Sequence, residues 1–254
     1  MRSDGSPPAW RRADVVYVGG QDCTDQSLIA AENKVIDRHL ANIVSNSWGS
    51  VGDINQLPAD LQHAYTHTFI QAVVEGIGVY FSSGDSGDEI VNTGGFRTVD
   101  FPASDPWVTA VGGTSLAVGK NNNYLFETGW STGRSVLVNG VWTPAPPGSY
   151  LYGAGGGTSE VFAQPVYQKG TVPASISKFF GPGTGIGGDT PGRAVPDVAM
   201  DADPNTGFTF GQTVAFPDGT VKYAESRIGG TSLASPLFAG MMALADMVFG
   251  APHG

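Results

Sequence analysis

Charge is scarce in this chain of 254 residues. Only 14% of them are Asp, Glu, Lys or Arg, and the acids outnumber the bases by 23 to 13, for a net charge of -10. With no basic stripe, that balance excludes a nucleic-acid partner. Few charges with acids in excess also suit a protein that works in acid. Cysteine is down to Cys23, so no internal disulfide forms and cysteine usage says nothing about compartment. No unbroken apolar run reaches the roughly 18 residues of a membrane span, because Asp246 interrupts the best candidate. No membrane partner is expected. The polar, proline-rich stretch from Met1 to Trp10 lacks the apolar middle of a signal peptide. Histidine is rare as well: His39, His63, His67 and His253 are all there are. His63 and His67 share a helical spacing, but no third ligand accompanies them, so they read as a polar helix face.

What the chain has is glycine and proline, 37 and 17 residues, within a composition that is 41% hydrophobic. That describes one large globular domain with many tight loops. Residues 1–12 show no periodicity and read as a loose tail, with the domain running over 13–254. Asp14 to Val18 reads as a buried strand closed by Gly19-Gly20. A helix from Asp25 to Leu40, capped by Thr24, precedes a second strand over Ile43 to Ser47. A helix from Pro58 to Glu75, stopped by Gly76, precedes a third strand over Val79 to Ser82. This alternation predicts a parallel sheet with right-handed crossovers and helices on both faces, an α/β fold. Beyond Phe101 the pattern predicts a strand at 108–111, hairpins from Thr114 to about Val141 and loops at 143–157 and 181–192. A strand over Val195 to Met200 and a hairpin from Phe208 to Ile228, turning at Pro217-Asp218-Gly219, complete it.

In such folds the site lies beyond the carboxyl ends of the strands. Ser47-Trp48-Gly49 and Ser83-Gly84-Asp85-Ser86-Gly87 both fall there. A third segment, Gly229-Gly230-Thr231-Ser232-Leu233-Ala234-Ser235-Pro236, leads into an apolar run expected to be a buried helix, with Pro236 in its first turn. A serine at a helix mouth sits among free N–H groups, where an oxyanion could be held. Alone, Gly-x-Ser is an N-cap; Asp85 between glycines is a turn residue; Trp48 is a core aromatic.

Taken together, these segments change the reading. Gly-Thr-Ser-Leu-Ala-Ser-Pro resembles the nucleophile segment of the subtilisin-like peptidases. No histidine lies in the setting a subtilisin uses, and Asp85 stands where a subtilisin carries its oxyanion asparagine. The chain is similar to the sedolisins, the serine-carboxyl peptidases, over roughly residues 13–250. The resemblance also rests on Phe101 to Pro106, Val111 to Thr114, Gly155 to Ser159 and Arg193 to Asp203. It implies a subtilisin-like fold and an acid-acting, secreted, monomeric endopeptidase that carries calcium and is made with a propeptide. Ser232 would be the nucleophile and Asp85, protonated, the donor to the oxyanion. Ser47, Trp48 and Gly49 would pair with an extended peptide or protein substrate. Asp197, Asp201 and Asp203 look structural, with no metal assigned to them.

Two expected features of that family are not legible. No Glu-x-x-x-Asp helix precedes Asp14, and no calcium loop follows the Ser232 helix. The chain therefore reads as a central piece of a catalytic domain, holding nucleophile and oxyanion groups, with its own activity in doubt. A non-catalytic peptide-binding relative and a histidine-triad subtilisin stay open as alternatives.

Overall fold

The computed structural model describes residues 14–52 and 57–250. The expected tail, residues 1–12, lies outside them, as does His253. Helix α1 (Asp25–Asp37) begins where Thr24 accepts a hydrogen bond from the Ser27 N–H. That satisfies one of the donors a helix start leaves over. Strand β1 (Ile43–Asn46), helix α2 (Ala59–Val74) and strand β2 (Gly78–Ser82) follow. Gly76, at φ 72°, takes the left-handed turn out of α2 that the sequence reserves for it. Strand β3 (Thr109–Val118) pairs in parallel with β2 and with β11 (Val198–Asp201), giving the order β1-β2-β3-β11. The outer half of β3 bends back into an antiparallel hairpin with β4 (Tyr124–Gly129).

Period-two alternation sorts the side chains of β2 onto two faces. Val79 and Phe81 join Tyr65, Phe69, Ile36 and Phe101 under α1 and α2. Tyr80 joins Val111, Trp130, Ala202, Ala234 and Ala239 under α5 (Thr231–Phe249). Each fully buried aromatic contributes about 1.5–3 kcal/mol. Tyr65, at 0% exposure, packs edge-on to Phe101 with ring centroids 5.2 Å apart. Helices thus cover both faces of a parallel sheet, the α/β architecture expected.

Two one-turn helices, α3 (Ile90–Thr93) and α4 (Ala174–Ser177), and smaller two-stranded ribbons decorate the margin. Strands β5 (Ser131–Arg134) and β8 (Ser149–Gly153) pair, as do β6 (Val136–Val138) and β7 (Val141–Thr143). Strands β9 (Gly157–Ala163) and β10 (Gly192–Val195) form another ribbon. The last hairpin joins β12 (Phe208–Ala215) to β13 (Val221–Ile228) in eight consecutive pairs. Its turn over Pro217-Asp218-Gly219 has Asp218 accepting from Thr220, as turn aspartates do.

Four expectations are corrected. Asp14 to Val18 is not a buried strand: no ladder forms, and Tyr17 is 94% exposed. The segment lies along the open edge of β1, across a cavity of about 190 Å³, without closing backbone bonds to it. Residues 149–153 form a strand inside the expected loop, because β5 supplies a partner. The expected strand over 195–200 is split at Pro196, which cannot donate to a ladder, so β10 and β11 belong to different sheets. Finally, α5 is buried on one side only. It contacts β1, β2, β3 and β11, while Met241, Leu244, Val248 and Phe249 face outward. With 19 residues and a mean hydropathy of 1.5, it is long and apolar enough to cross a membrane by length and composition, despite Asp246.

Candidate active site

Four loops meet at the carboxyl ends of β1 and β2 and the start of α5. The loop after β2 is laced to the chain beyond β8. Gly155 N donates to Gly84 O (2.7 Å), Gly153 N to Asp85 O (2.9 Å), and Ser83 Oγ to Gly155 O (2.7 Å). Only glycine permits this approach, since a Cβ at Gly155 would lie 2.1 Å from the Ser83 carbonyl oxygen. The two Gly-rich motifs of the sequence are therefore one structure.

That lacing aims Asp85 at the mouth of α5. Its Oδ1 accepts from Thr231 N (2.7 Å) and from Thr231 Oγ1 (2.9 Å). Gly84 O stands 3.0 Å from the same hydroxyl, whose one hydrogen is shared between this carbonyl and Asp85. Asp85 thus caps the helix from another element, meeting one of its orphan N–H groups. Gly230, the N-cap residue, sits at φ 89° and ψ 159°, a region essentially reserved for glycine. A Cβ there would also approach Asp85 Oδ2 to 2.8 Å.

Ser232, the second residue of α5, is exposed. It lines a cavity of about 160 Å³ together with Ser47, Trp48, Gly49, Asp85 and Asp100. The sequence-selected residues are brought together. Trp48 packs its ring against Phe81 (centroids 5.1 Å) and Tyr65 (6.0 Å), and it also lines the cavity. Its indole N–H donates to Asn46 Oδ1 at 3.3 Å.

Ser47 has a further contact. Its Oγ donates to the carbonyl of Ser232 at 3.1 Å. Pro236 stands four residues after Ser232 and has no N–H, so the helical bond to that carbonyl cannot form. Pro236 is the sixth residue of α5, not a first-turn proline as expected. Its effect is to free a carbonyl that Ser47 then holds. Ser45 Oγ lies 3.2 Å from Ser235 Oγ, a second stitch between β1 and α5.

Sequence reasoning missed Asp100. It lines the cavity from beside Phe101, whose backbone pairs with Ser50. Its Oδ2 lies 2.3 Å from where a Gly84 Cβ would stand. The signal was its position just before the Phe101-Pro102-Ala103 motif.

No described histidine lines this cavity. His39 bonds to Asn42 at 3.0 Å and faces Glu75 at 3.7 Å, whereas His63 and His67 stack on an exposed face of α2. Among the described residues no group of three or more His, Cys, Asp or Glu could hold a metal. None of the described residues is therefore assigned to the calcium that the resemblance implies. The acidic segment after β10 has its own partners. Asp197 takes a bidentate bond from the fully buried Arg193 (2.8 and 2.7 Å), and Asp201 accepts from Thr206 (2.7 Å). Asp203 accepts from Ser115 (2.8 Å). Burial pushes the neighbouring Tyr167 hydroxyl up to about 12.

One strongly perturbed carboxyl lies apart from the cavity. Glu32, on the inner face of α1, is raised to about 7, chiefly by burial. The Asn46 amide draws it the other way, although Glu32 Oε2 and Asn46 Nδ2 do not meet hydrogen-bond geometry.

Comparison with known proteins places the geometry in context. The model of the subtilase family matches residues 11–250. Kumamolisin from Bacillus sp. (strain MN-32) is 37% identical over 217 residues, 85% of this chain and 33% of its own length. Sedolisin from Pseudomonas sp. (strain 101) is 30% identical over 237 residues, 89% and 34% respectively. A solved Pseudomonas sedolisin, a serine-carboxyl proteinase complexed with two molecules of pseudo-iodotyrostatin, superposes with a TM-score of 0.65. It is 26% identical, and the match covers 90% of this chain and 54% of that one. The chain spans about a third of the length of the curated relatives named here.

Proposed function

The chain belongs to the subtilase family, in its sedolisin branch, and from that premise we propose that it is the nucleophile-bearing part of a serine-carboxyl endopeptidase. In this reading residues 13–254 belong to one catalytic domain, secreted, monomeric and active in acid on peptide or protein substrates. One observation carries it. An exposed serine at a helix mouth shares a small cavity with a carboxyl group that already bonds the helix's first N–H.

The chemistry follows from the positions. The Ser232 hydroxyl attacks the scissile carbonyl and becomes the acyl-enzyme ester, while the amine leaves with a proton. Charge develops on the carbonyl oxygen. A proton on Asp85 Oδ2 would be donated to it, with Oδ1 held by Thr231. The substrate strand lies along Ser47-Trp48-Gly49. Ser232 also needs a proton acceptor, and a carboxylate can serve where its environment suits. The described cavity offers only Asp85 and Asp100 as carboxylates. A Glu-Asp pair, as the resemblance implies, would supply that acceptor. A propeptide belongs to the same proposal; no step uses a metal.

Cleavage of a denatured protein at acid pH, with Ser232→Ala as the control, tests this reading. Cleavage that the control abolishes supports it. Equal binding of peptides by both proteins, with no cleavage from either even after an upstream Glu-x-x-x-Asp helix is supplied, would favour the non-catalytic relative.

A further inference from the structure

Between Arg134 and Glu160 the chain carries no charged residue, although its net charge is -10. Most of that stretch goes into two ribbons, β6–β7 following β5 and preceding β8. The β5–β8 ribbon is rooted at the site. Gly153, its last residue, bridges to Ser86 and donates to Asp85 O at 2.9 Å. From that root the four residues of β5 span about 10 Å. The β6–β7 ribbon extends the same excursion, and Asn139-Gly140, at φ 51° and 80°, turns the chain between its strands as a type I′ hairpin does. An antiparallel ribbon of this composition would ordinarily bury one face. Here both are bare. Leu137 and Trp142, directly opposite each other, are 59% and 55% exposed, and Val136, Val138 and Val141 are exposed beside them.

A single surface leucine needs no explanation, whereas a contiguous apolar patch marks a contact. The ribbon is also unfinished as a sheet. Strand β6 pairs only with β7, so its other edge offers free N–H and C=O groups. Pro144, Pro146 and Pro147 follow β7 and guard its side, because proline cannot donate to a ladder. Two strands of three residues are marginal by themselves, and a third strand would complete them. What fits is an extended, uncharged length of polypeptide, paired to β6 through its backbone and resting apolar side chains on Leu137 and Trp142. We propose that this ribbon is an exosite that captures extended apolar segments of a protein substrate, apart from the cavity at Ser232. Its continuity with the Asp85 loop selects substrate as the occupant, since one excursion of the chain then carries both capture and chemistry. The inference rests on the peptidase reading for its purpose, but its test needs no turnover. With no charge in the ribbon, capture should be indifferent to salt.

The probe is acetyl-Ser-Val-Thr-Leu-Thr-Val-Ser-amide, titrated into the Ser232→Ala protein so that nothing is cleaved. A control peptide with proline in place of both threonines keeps the apolar side chains but cannot pair as a strand. Binding is followed by NMR at the Val136 to Val138 amides and the Trp142 indole, at low and high salt. The first peptide should shift these signals equally well at both, and the proline peptide should not. Leu137→Ser combined with Trp142→Ser should weaken binding about tenfold or more, while Val91→Ser, an exposed apolar residue on α3, should leave it unchanged. Equal binding of the two peptides, or binding indifferent to the Leu137 and Trp142 changes, overturns the proposal. So do shifts at the ribbon that follow protein concentration or added phosphatidylcholine vesicles instead of peptide, which would assign the surface to a second copy or to a membrane. If the ribbon binds as expected while Ser232 never acylates, the peptidase reading fails and the capture surface stands; acylation with a silent ribbon is the reverse.

Discussion

Replacing Ser47 with alanine probes the least obvious contact in the site. The Ser47 hydroxyl holds the Ser232 carbonyl at 3.1 Å, which α5 cannot bond because Pro236 lacks an N–H. A hydrogen bond of this kind is worth about 0.5–1.5 kcal/mol net. Ser47→Ala should therefore lower the unfolding free energy by that amount, read as a shift in the urea midpoint at constant slope. If the same loss falls on the transition state, acylation at Ser232 should slow by about two- to tenfold, with little change in KM. Ser47→Thr, which keeps a hydroxyl, should retain most of both. The decisive comparison is a double-mutant cycle with Pro236→Ala. Restoring the N–H gives the carbonyl its helical partner, so Ser47→Ala should cost much less in that background. An equal cost in both backgrounds would refute the reasoning.

Other consequences are open to measurement. Gly230→Ala combines a glycine-only backbone with a Cβ 2.8 Å from Asp85, and should destabilise by about 1–3 kcal/mol in urea unfolding. Asp85→Ala should lower the acylation rate by about 10²–10³, whereas Asp85→Asn, which can still donate, should keep part of it. Glu32 makes the fold itself acid-preferring. Its folded value near 7 exceeds the ordinary 4.5, so the folded state holds the proton more tightly. Its contribution is complete below about pH 4.5 and is lost as pH rises through 7, a change of about 3 kcal/mol. Glu32→Gln should flatten that slope in unfolding curves recorded from pH 4 to 8. A slope unchanged in the variant would remove Glu32 as its source.

Much of the sheet was legible because local signals agreed with the fold. Thr24 caps α1, Gly76 ends α2, and Pro217-Asp218-Gly219 turns the last hairpin, each by chemistry confined to a few residues. The site was legible through motifs whose meaning is tertiary: Asp85 meets Thr231 across 146 residues of chain. What stayed hidden depended on partners. Asp14 to Val18 has the composition of a strand but no ladder to join, and Ser149 to Gly153 lies within a Gly/Pro-rich stretch but is paired by β5. The apolar run of α5 suggested burial all round, yet one face stays exposed in the described chain. In α2 the buried stripe runs through Tyr65, Thr68, Phe69 and Ala72, while Val73 is 39% exposed. Glu32 broke the pattern, an acid on the inner face of α1.

The central claim is that Ser232 is the residue acylated and that Asp85 assists it. An activated peptide ester, mixed with the protein in acid and quenched, reports on both by intact-protein mass spectrometry. The account predicts a mass increase of one acyl group, mapped to the peptide containing Ser232. That increase should be absent in Ser232→Ala and should form about 10²–10³ more slowly in Asp85→Ala. Acylation at another residue, or at Ser232 with a rate indifferent to Asp85, would contradict it.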